Sequence, residues 1–499
     1  MPLLVQQLLT ELRSHPAIEV VEMRWTPRLA ILKFIHEFAS TRTMSLGLLA
    51  VLLAAGLVSA DNITATVNLG VSKGQSVHRA SGFIYGIPDT LNQIPDHWYT
   101  DIGFNYGRAG GAQLDAPARG WIWGIDEYRA RLESTLSNYQ TCRKYGAPFI
   151  LLPHDVWGTD HTNSSTAWPG DNGDWSDWDK FVKTLMDDLE ANNALEGLVW
   201  DIWNEPDYSA FWTRSKQQWI DLYIRTHKLL RANPKYDTVE ISGPSLAFRP
   251  VSGNTWWADW LDQIAGNDTI PEQYSYHLEG SSDEWDNDLQ TTNATLTALL
   301  KTYNLPDRQI NINEYANQRE QVPAGAAWWI SRLERYDAWG LRGNWLSGWT
   351  LHDLMANLLT KVSDPSDYSA TDYAAAPEFQ VYKYYYLNMT GSRVETSGTG
   401  DRLFDVYATV DSDKVRVLSG TRITSGNWQI TVDNLSAVGL PTEGSVDIQT
   451  WGFAGTSIYE EVDAPSDRGV VTHTYTGDTL TFPIYQTDAS TAWAFEFSR

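Results

Sequence analysis

The sequence predicts an α/β protein in which a (β/α)8 TIM barrel is followed by an antiparallel β-sandwich, and three observations carry that expectation. Eight short apolar runs alternate with amphipathic stretches between Gly82 and Trp349, the rhythm of strand–helix units on a parallel sheet. These units occupy about 270 residues, close to the ~250 of an eight-fold barrel. Beyond Asn388 helical periodicity gives way to short alternating segments punctuated by Gly, Ser, Asp and Asn, the texture of a sandwich. A doubly wound open sheet would also alternate. The count of eight, and the lack of a Gly-rich phosphate loop after the first strand, favour the barrel.

In chain order, residues 1–60 read as a segment absent from the mature protein. Leu46 to Val58 form an apolar run too short to span a bilayer, preceded by Arg42 and ending in the small-x-small pattern Val58-Ser59-Ala60. A signal peptide is expected from Met44 to Ala60, with residues 1–43 an upstream start. Cleavage would leave a secreted protein with no membrane attachment, whereas an uncleaved run would be a signal anchor. Six Asn-x-Ser/Thr sequons follow, at Asn62, Asn163, Asn267, Asn293, Asn388 and Asn434, which suits an N-glycosylated extracellular chain.

Residues 61–78 form the next segment. Ile63, Ala65, Val67 and Leu69 alternate with polar residues, so a half-buried strand is expected that joins the sandwich. The barrel is placed at residues 79–388. Its strands are read at 82–86, 105–108, 149–153, 198–204, 239–242, 274–277, 309–313 and 344–349, with helices at 126–145, 175–192, 215–231 and 324–339. In the second of these helices Trp178, Phe181, Val182, Leu185 and Leu189 recur at helical spacing. The accessory domain is placed at residues 389–499, with strands at 402–410, 414–419, 428–432, 445–450, 470–475, 479–482 and 492–497.

Composition narrows the function. Asp and Glu number 62 against 37 Lys and Arg, for a net charge of −25, and nucleic acid needs clustered cations. The 24 Trp and 24 Tyr are mostly core filler, but a minority of flat aromatic faces suits sugar rings. Cys142 is the only cysteine. It precludes an internal disulfide and reads as a small core residue on a helix.

The chemistry is organised around Trp200-Asp201-Ile202-Trp203-Asn204-Glu205-Pro206-Asp207. A buried fourth strand ends here by pointing a carboxamide and a carboxyl out of the barrel. Pro206 has no N–H to continue the ladder, and it favours an extended Glu205. The seventh strand, Gln309-Ile310-Asn311-Ile312-Asn313-Glu314-Tyr315, also ends in a glutamate. The two glutamates are 109 residues apart, three βα units of about 36 residues, and catalytic groups of such barrels lie at the C-terminal strand ends. Two carboxyls at one height can flank a sugar, ~5–5.5 Å apart for retention and ~6.5–9.5 Å for inversion. Arg108, ending the second strand, has two readings: a cation for Glu314, or a structural ion pair with Asp201.

With Asn-Glu-Pro closing strand four and a glutamate closing strand seven, the chain resembles clan A of the retaining glycoside hydrolases. The barrel-plus-sandwich layout and the surroundings of both glutamates most resemble glycoside hydrolase family 39, over roughly residues 62–499. That resemblance implies that Glu205 is the general acid/base, Glu314 the nucleophile, and Asn204 a ligand of the sugar 2-hydroxyl. Two roles require two environments, a raised pKa for Glu205 and donors or a cation for Glu314. Relatives place a Tyr or His of strand six against the nucleophile, which implicates Tyr276 or His277, and an aromatic platform at the end of strand eight, which implicates Trp349. His154, closing strand three, is read as a further substrate contact. Glu279, Asp155 and Asp353 also lie near strand ends and read as solvated loop carboxylates.

No metal or cofactor is expected, because His154 and Asp155 are adjacent rather than at ligand spacing and there is no His-Glu-x-x-His. Gly107–Gly111 lacks the Lys-Ser/Thr of a phosphate loop and reads as a tight turn. The resemblance implies a secreted glycosidase acting on a carbohydrate, with β-xyloside or arabinoside-type substrates of plant or microbial origin favoured. A transglycosylase, or a carbohydrate-binding protein that no longer hydrolyses, are the alternatives. The Trp-rich insertion at 157–175 is where a wall closing one end of the cleft is expected.

Overall fold

The computed structural model describes residues 63–280, 287–457 and 459–499. The expected leader and the Asn62 sequon lie outside these residues. The first strand, β1 (Thr64–Gln75), precedes eight barrel strands: β2 (Gly82–Ile84), β3 (Tyr106–Ala109), β4 (Phe149–Leu151), β5 (Leu198–Asp201), β6 (Glu240–Leu246), β7 (Gln273–Leu278), β8 (Gln309–Tyr315) and β9 (Trp339–Arg342). Neighbours pair in parallel and β9 returns to β2, closing the barrel. Helices Ile125–Lys144, Ser176–Ala191, Lys216–Arg231, Thr255–Asn267, Leu289–Thr302 and Pro323–Arg335 follow successive strands from β3 on.

The helices form where the sequence supplies both an apolar stripe and a start signal. Ser176–Ala191 buries Trp178, Phe181, Val182, Leu185 and Leu189, the residues spaced for it. Ser215, Asn254 and Asp288 each cap a following helix by accepting a backbone N–H, which satisfies a donor the helix itself cannot. Cys142 is fully buried on Ile125–Lys144, and burial pushes its thiol up. It packs against Gly107, where an added Cβ would meet its Sγ at 2.5 Å.

The eighth barrel strand differs from the expected one. It is Trp339–Arg342, not 344–349, and the preceding helix ends at Arg335 rather than 339. Asp337 takes a positive φ of 52° and Ala338 N–H bonds back to the Leu333 carbonyl, which stops the helix early. The strand was hard to see because it is only four residues long and contains Gly340 and Arg342. The glycine lets helix and strand approach, since a Cβ there would meet Leu333 at 2.4 Å. Arg342 is buried in an ion pair with Glu378.

After the barrel, β10 (Leu359–Lys361) and β11 (Tyr373–Ala375) pair as a small two-stranded sheet. The accessory domain contains β12 (Ser392–Ser397), β13 (Phe404–Val410), β14 (Lys414–Thr421), β15 (Gly426–Asp433), β16 (Gly444–Phe453), β17 (Ser466–Tyr475), β18 (Thr479–Gln486) and β19 (Ala492–Ser498). With β1 they make one nine-stranded sheet, ordered β17-β16-β19-β14-β13-β12-β1-β15-β18. All its pairs are antiparallel except β1 with β15. The sheet folds back on itself. Phe482 of the edge strand β18 meets Phe495 of β19 across the interior at 5.1 Å, and alternate residues of all the strands share one core.

Helix Pro323–Arg335 ties the two layers together. Gly420 of β14 lies so close that a Cβ would meet the Ala324 carbonyl at 2.1 Å. Arg332 reaches Asp405 of β13 at 2.6 Å, and Arg422 reaches Glu320 at 2.7 Å.

Inside the barrel, side chains change character from bottom to top. Tyr106, Ile150, Val199 and Leu341 form an apolar floor with Trp339 packed against it. Above it, Asn311 donates to Gln273 (3.2 Å), which donates to Tyr106 (2.7 Å). Two residues further along the strands, where period-two alternation turns side chains inward again, lie Arg108, Asp201, Ser275 and Asn313. The mouth holds Asn204, Glu205, His277 and Glu314.

Candidate active site

Two irregularities aim the acids. The register between β7 and β8 runs Ser275↔Asn311 and then His277↔Glu314, so β8 carries one extra residue. This bulge turns Glu314 inward, where strict alternation from Asn313 would have faced it away. Glu205, just past β5, has a φ of 44°, contrary to the extended conformation expected ahead of Pro206. Its N–H donates to the Ser245 carbonyl at 2.9 Å and its own carbonyl accepts from Tyr208 N–H at 2.9 Å. These tertiary bonds override the local preference, at a cost on the order of 1 kcal/mol for a non-glycine left-handed residue.

Arg108 joins the two readings left open for it. Its Nη2 donates to Asp201 Oδ2 (2.8 Å) and to Asn204 Oδ1 (2.6 Å), while its Nη1 donates to Glu314 Oε1 (2.5 Å). The side chain is fully buried. Asp201 is held from the other side by Ser245 Oγ (2.8 Å) and Asn313 Nδ2 (3.1 Å). One guanidinium thereby fixes the orientation of Asn204 and Glu314 together, and it places a buried cation against Glu314.

Glu205 sits in the opposite environment. Burial pushes its carboxyl up to about 7, against the downward pull of Arg108. Its Oε1 lies 2.7 Å from His277 Nδ1. Burial also lowers His277 to about 4, outweighing Glu314, so the imidazole is neutral at ordinary pH. His277 Nε2 faces Glu314 Oε1 at 3.6 Å, so the ring stands between the two acids. A neutral ring with Nδ1 accepting from a protonated Glu205 would direct its Nε2–H toward Glu314.

One oxygen each of Glu205 and Glu314, with a His277 nitrogen, all lie within 4.8 Å of one another. The spacing alone would admit a cation, but Arg108 already provides the counter-charge. The chemistry of the set is that of an acid–base pair.

The other sequence candidates divide. Tyr276 faces outward, donating to Thr292 Oγ1 at 2.9 Å and packing on Trp257, so of the strand-six pair only His277 is in the site. Trp349 does not end strand eight. It is half-exposed in the loop beyond β9, 6.1 Å from the His352 ring. Trp345 is instead tied to the chain just past Glu314, donating from Nε1 to the Ala316 carbonyl at 2.9 Å. His154 is buried against Trp203 and Phe211, with its Nε2 3.1 Å from Asp155.

None of the three supposed loop carboxylates is freely solvated. Asp155 is buried, accepts from Tyr85 Oη at 2.5 Å, and is pushed up to about 7 by burial. Asp353 is buried against Lys361 (2.5 Å) and Tyr373 (2.7 Å). The third, Glu279, is half-buried and bonded to Glu314. Trp157 and Trp168 of the insertion are buried and pack on Trp203 at 5.6 and 6.1 Å. They brace the strand end that carries Glu205.

Sequence reasoning missed Ser245, Asn313 and Trp345. Asn313 had a usable signal, standing on the inward phase of a strand already identified. Ser245 had none.

The fold and site thus define a closed parallel barrel with an inward-facing glutamate pair and an attached sheet. No protein-family profile and no curated protein matches the chain. Solved structures do. N2152 from Neocallimastix frontalis aligns with a TM-score of 0.68 at 20% identity, covering 88% of this chain and 99% of that one. A glycoside hydrolase family 30 subfamily 8 xylanase, Xyn30A from Clostridium acetobutylicum, aligns at 0.52 and 18%, covering 87% and 100%. The GH39 enzyme from Xanthomonas axonopodis pv. citri aligns at 0.52 and 13%, covering 87% and 97%. At these identities the likeness is one of fold.

Proposed function

We propose that the chain is a retaining glycoside hydrolase of clan A, most similar to family 39, acting by double displacement on neutral pentoside-type substrates such as β-xylosides or arabinosides. The observation that carries this reading is the Glu205–Glu314 pair at the ends of β5 and β8. An oxygen of each lies within 4.8 Å of the other, on the short side of the ranges for retention and inversion. The two environments differ as two roles require. Glu205 is pushed up to about 7, and Glu314 is bonded to a buried guanidinium.

In the first step a Glu314 oxygen attacks the anomeric carbon, the bond to the leaving oxygen breaks, and that oxygen takes the Glu205 proton. In the second step Glu205 removes a proton from water, whose oxygen attacks the same carbon, and the ester electrons return to Glu314. Asn204, held by Arg108, is positioned to bond a sugar hydroxyl.

Exposed aromatics near the acids support a carbohydrate ligand. Tyr208 N–H donates to the Glu205 carbonyl, Phe248 N–H to the Asp207 carboxylate, and Trp345 Nε1 to the Ala316 carbonyl. The xylanase just described and a β-xylosidase from Caulobacter crescentus of the same fold (TM-score 0.52, 12% identity, covering 87% of this chain and 99% of that one) favour pentosides. Secretion rests on the leader and the sequons. Asn163, Asn267, Asn388 and Asn434 are exposed, as glycan acceptors must be, and among the described residues no helix is long and apolar enough to cross a membrane.

The test is a panel of aryl pentosides, aryl hexosides and plant polysaccharides, with Glu205→Ala in parallel. The variant is expected to lose natural oligosaccharides while keeping activated aryl glycosides, with azide restoring turnover. Normal cleavage of an oligosaccharide by this variant would overturn the assignment. Activity on nothing in the panel would shift weight to a binding protein.

A further inference from the structure

Among the described residues, Glu279 is a carboxyl beside the nucleophile that the two-acid mechanism does not use. It stands two residues beyond His277, immediately past the end of β7, and continuing the strand's alternation returns it to the inward face, beside the nucleophile rather than in the solvated loop expected from sequence. Its side chain hydrogen-bonds Glu314. It is confined on the far side by Gly343, where an added Cβ would lie 2.1 Å from Glu279 Oε1. Gly343 N–H in turn donates to the Tyr315 carbonyl at 2.9 Å, and Asn317 Nδ2 fixes the Gly280 carbonyl at 2.9 Å. The backbone on both sides of the Glu279–Glu314 contact is therefore pinned, and the absence of a side chain at Gly343 makes room for it.

Two carboxylates cannot hydrogen-bond each other without a proton between them, because an ionised carboxylate only accepts. The described titratable groups around the contact are Glu205, Glu314, His277 and Arg108. Arg108 is the only cation among them, and it is already committed to Asp201, Asn204 and Glu314. Two further acids, Glu205 and Glu279, thus face one occupied guanidinium.

We propose that Glu279 is a positioning residue that keeps its own proton through the catalytic cycle and donates it in a hydrogen bond to Glu314. The proposal rests on Glu314 being the nucleophile. In the attack step the donated bond holds the carboxylate in one orientation. In the second step it stabilises Glu314 as the departing carboxylate, and no proton leaves Glu279 at either stage. Burial, together with the negative charges of Glu314 and Glu205, favours the neutral form of Glu279. Its contribution therefore falls mainly on release of the glycosyl-enzyme.

Two measurements test this. The first needs no substrate: the infrared difference between wild type and Glu279→Gln at pH 9, where Glu205 is ionised. A carboxylic-acid C=O band is expected in the wild type and absent from the variant, and failure to lose a band on substitution overturns the proposal. The second is pre-steady-state kinetics on an activated aryl glycoside. Glu279→Gln, which keeps a neutral donor, is expected within ~3-fold of wild type. Glu279→Ala is expected to lower kcat ~10–100-fold with kcat/KM nearly unchanged, and to accumulate the glycosyl-enzyme as a burst. If Glu279→Gln is as impaired as Glu279→Ala, or kcat and kcat/KM fall together without a burst, Glu279 does not play this part. If the wild type cleaves no glycoside, the functional reading fails while the infrared band still decides the protonation of Glu279.

Discussion

Two buried clusters of arginine and carboxylates show how one chemistry serves two ends. Between barrel and sheet, Arg332 bonds Asp288 (3.1 Å) and Asp405 (2.6 Å), and Arg335 bonds Asp405 (2.8 Å). Cations and anions match. Burial alone would raise Asp405, but Arg332 and Arg335 hold it below the usual carboxylate range. Among the described residues at the barrel mouth, Arg108 alone faces Asp201 and Glu314, with Glu205 and Glu279 close by. There the surplus acids are driven toward their neutral forms. Charge balance makes the first cluster a rivet, and charge imbalance makes the second a store of protons.

Breaking each cluster should separate the two roles. The largest effect is expected from Glu314→Ala, with kcat falling by ~10⁴-fold or more and thermal stability unchanged or raised. Loss of folding in that variant would show that the mouth is structural. Asp405→Ala leaves two buried guanidinium groups without their shared partner. It should cost about 3–5 kcal/mol of stability in denaturant titrations, while the folded fraction retains its specific activity.

The pH dependence of stability sharpens the contrast. A carboxyl whose pKa is raised on folding binds its proton more tightly in the native state. The associated stability is full below the unfolded value of ~4.3 and is lost as pH rises through the folded value. For Glu205 the window therefore runs from there up to about 7. Glu205→Gln should stabilise the protein at pH 8 by up to ~3 kcal/mol and change nothing at pH 4, read from melting temperatures across that range. Asp405→Asn should show the reverse dependence, with its penalty largest near neutrality and fading in acid. The smallest effects should come from the rim. Trp345→Ala, beside the Glu314 loop, is expected to raise KM more than Trp349→Ala, by ~1–2 kcal/mol of lost stacking. An equal effect at Trp349 would return it to the cleft.

Much of this was legible in the sequence, for physical reasons. Strands β2 to β8 are apolar runs bounded by turn residues, and the glutamates close two of them, so pattern and position sufficed. The eighth strand escaped because half of it is glycine and a buried arginine, whose fitness depends on Leu333 and Glu378 rather than on neighbours in the chain. Tyr276 and His277 are adjacent in sequence and could be separated only by knowing which face of β7 lines the barrel. Arg108 was read as either a cation for Glu314 or an ion pair with Asp201, but pair patterns could not reveal that one guanidinium serves three partners. The roles of Ser245 and Glu279 depend on strand register and bulges, which local sequence does not encode.

The account turns on two glutamates acting on opposite faces of one anomeric carbon in succession. The most direct test is the anomeric configuration of the first-formed sugar, followed by proton NMR during hydrolysis of whichever aryl glycoside the panel shows to be cleaved. Retention of configuration is predicted, with the inverted anomer appearing only later by mutarotation. Initial release of the inverted anomer would contradict a covalent intermediate on Glu314, and the roles of both acids with it.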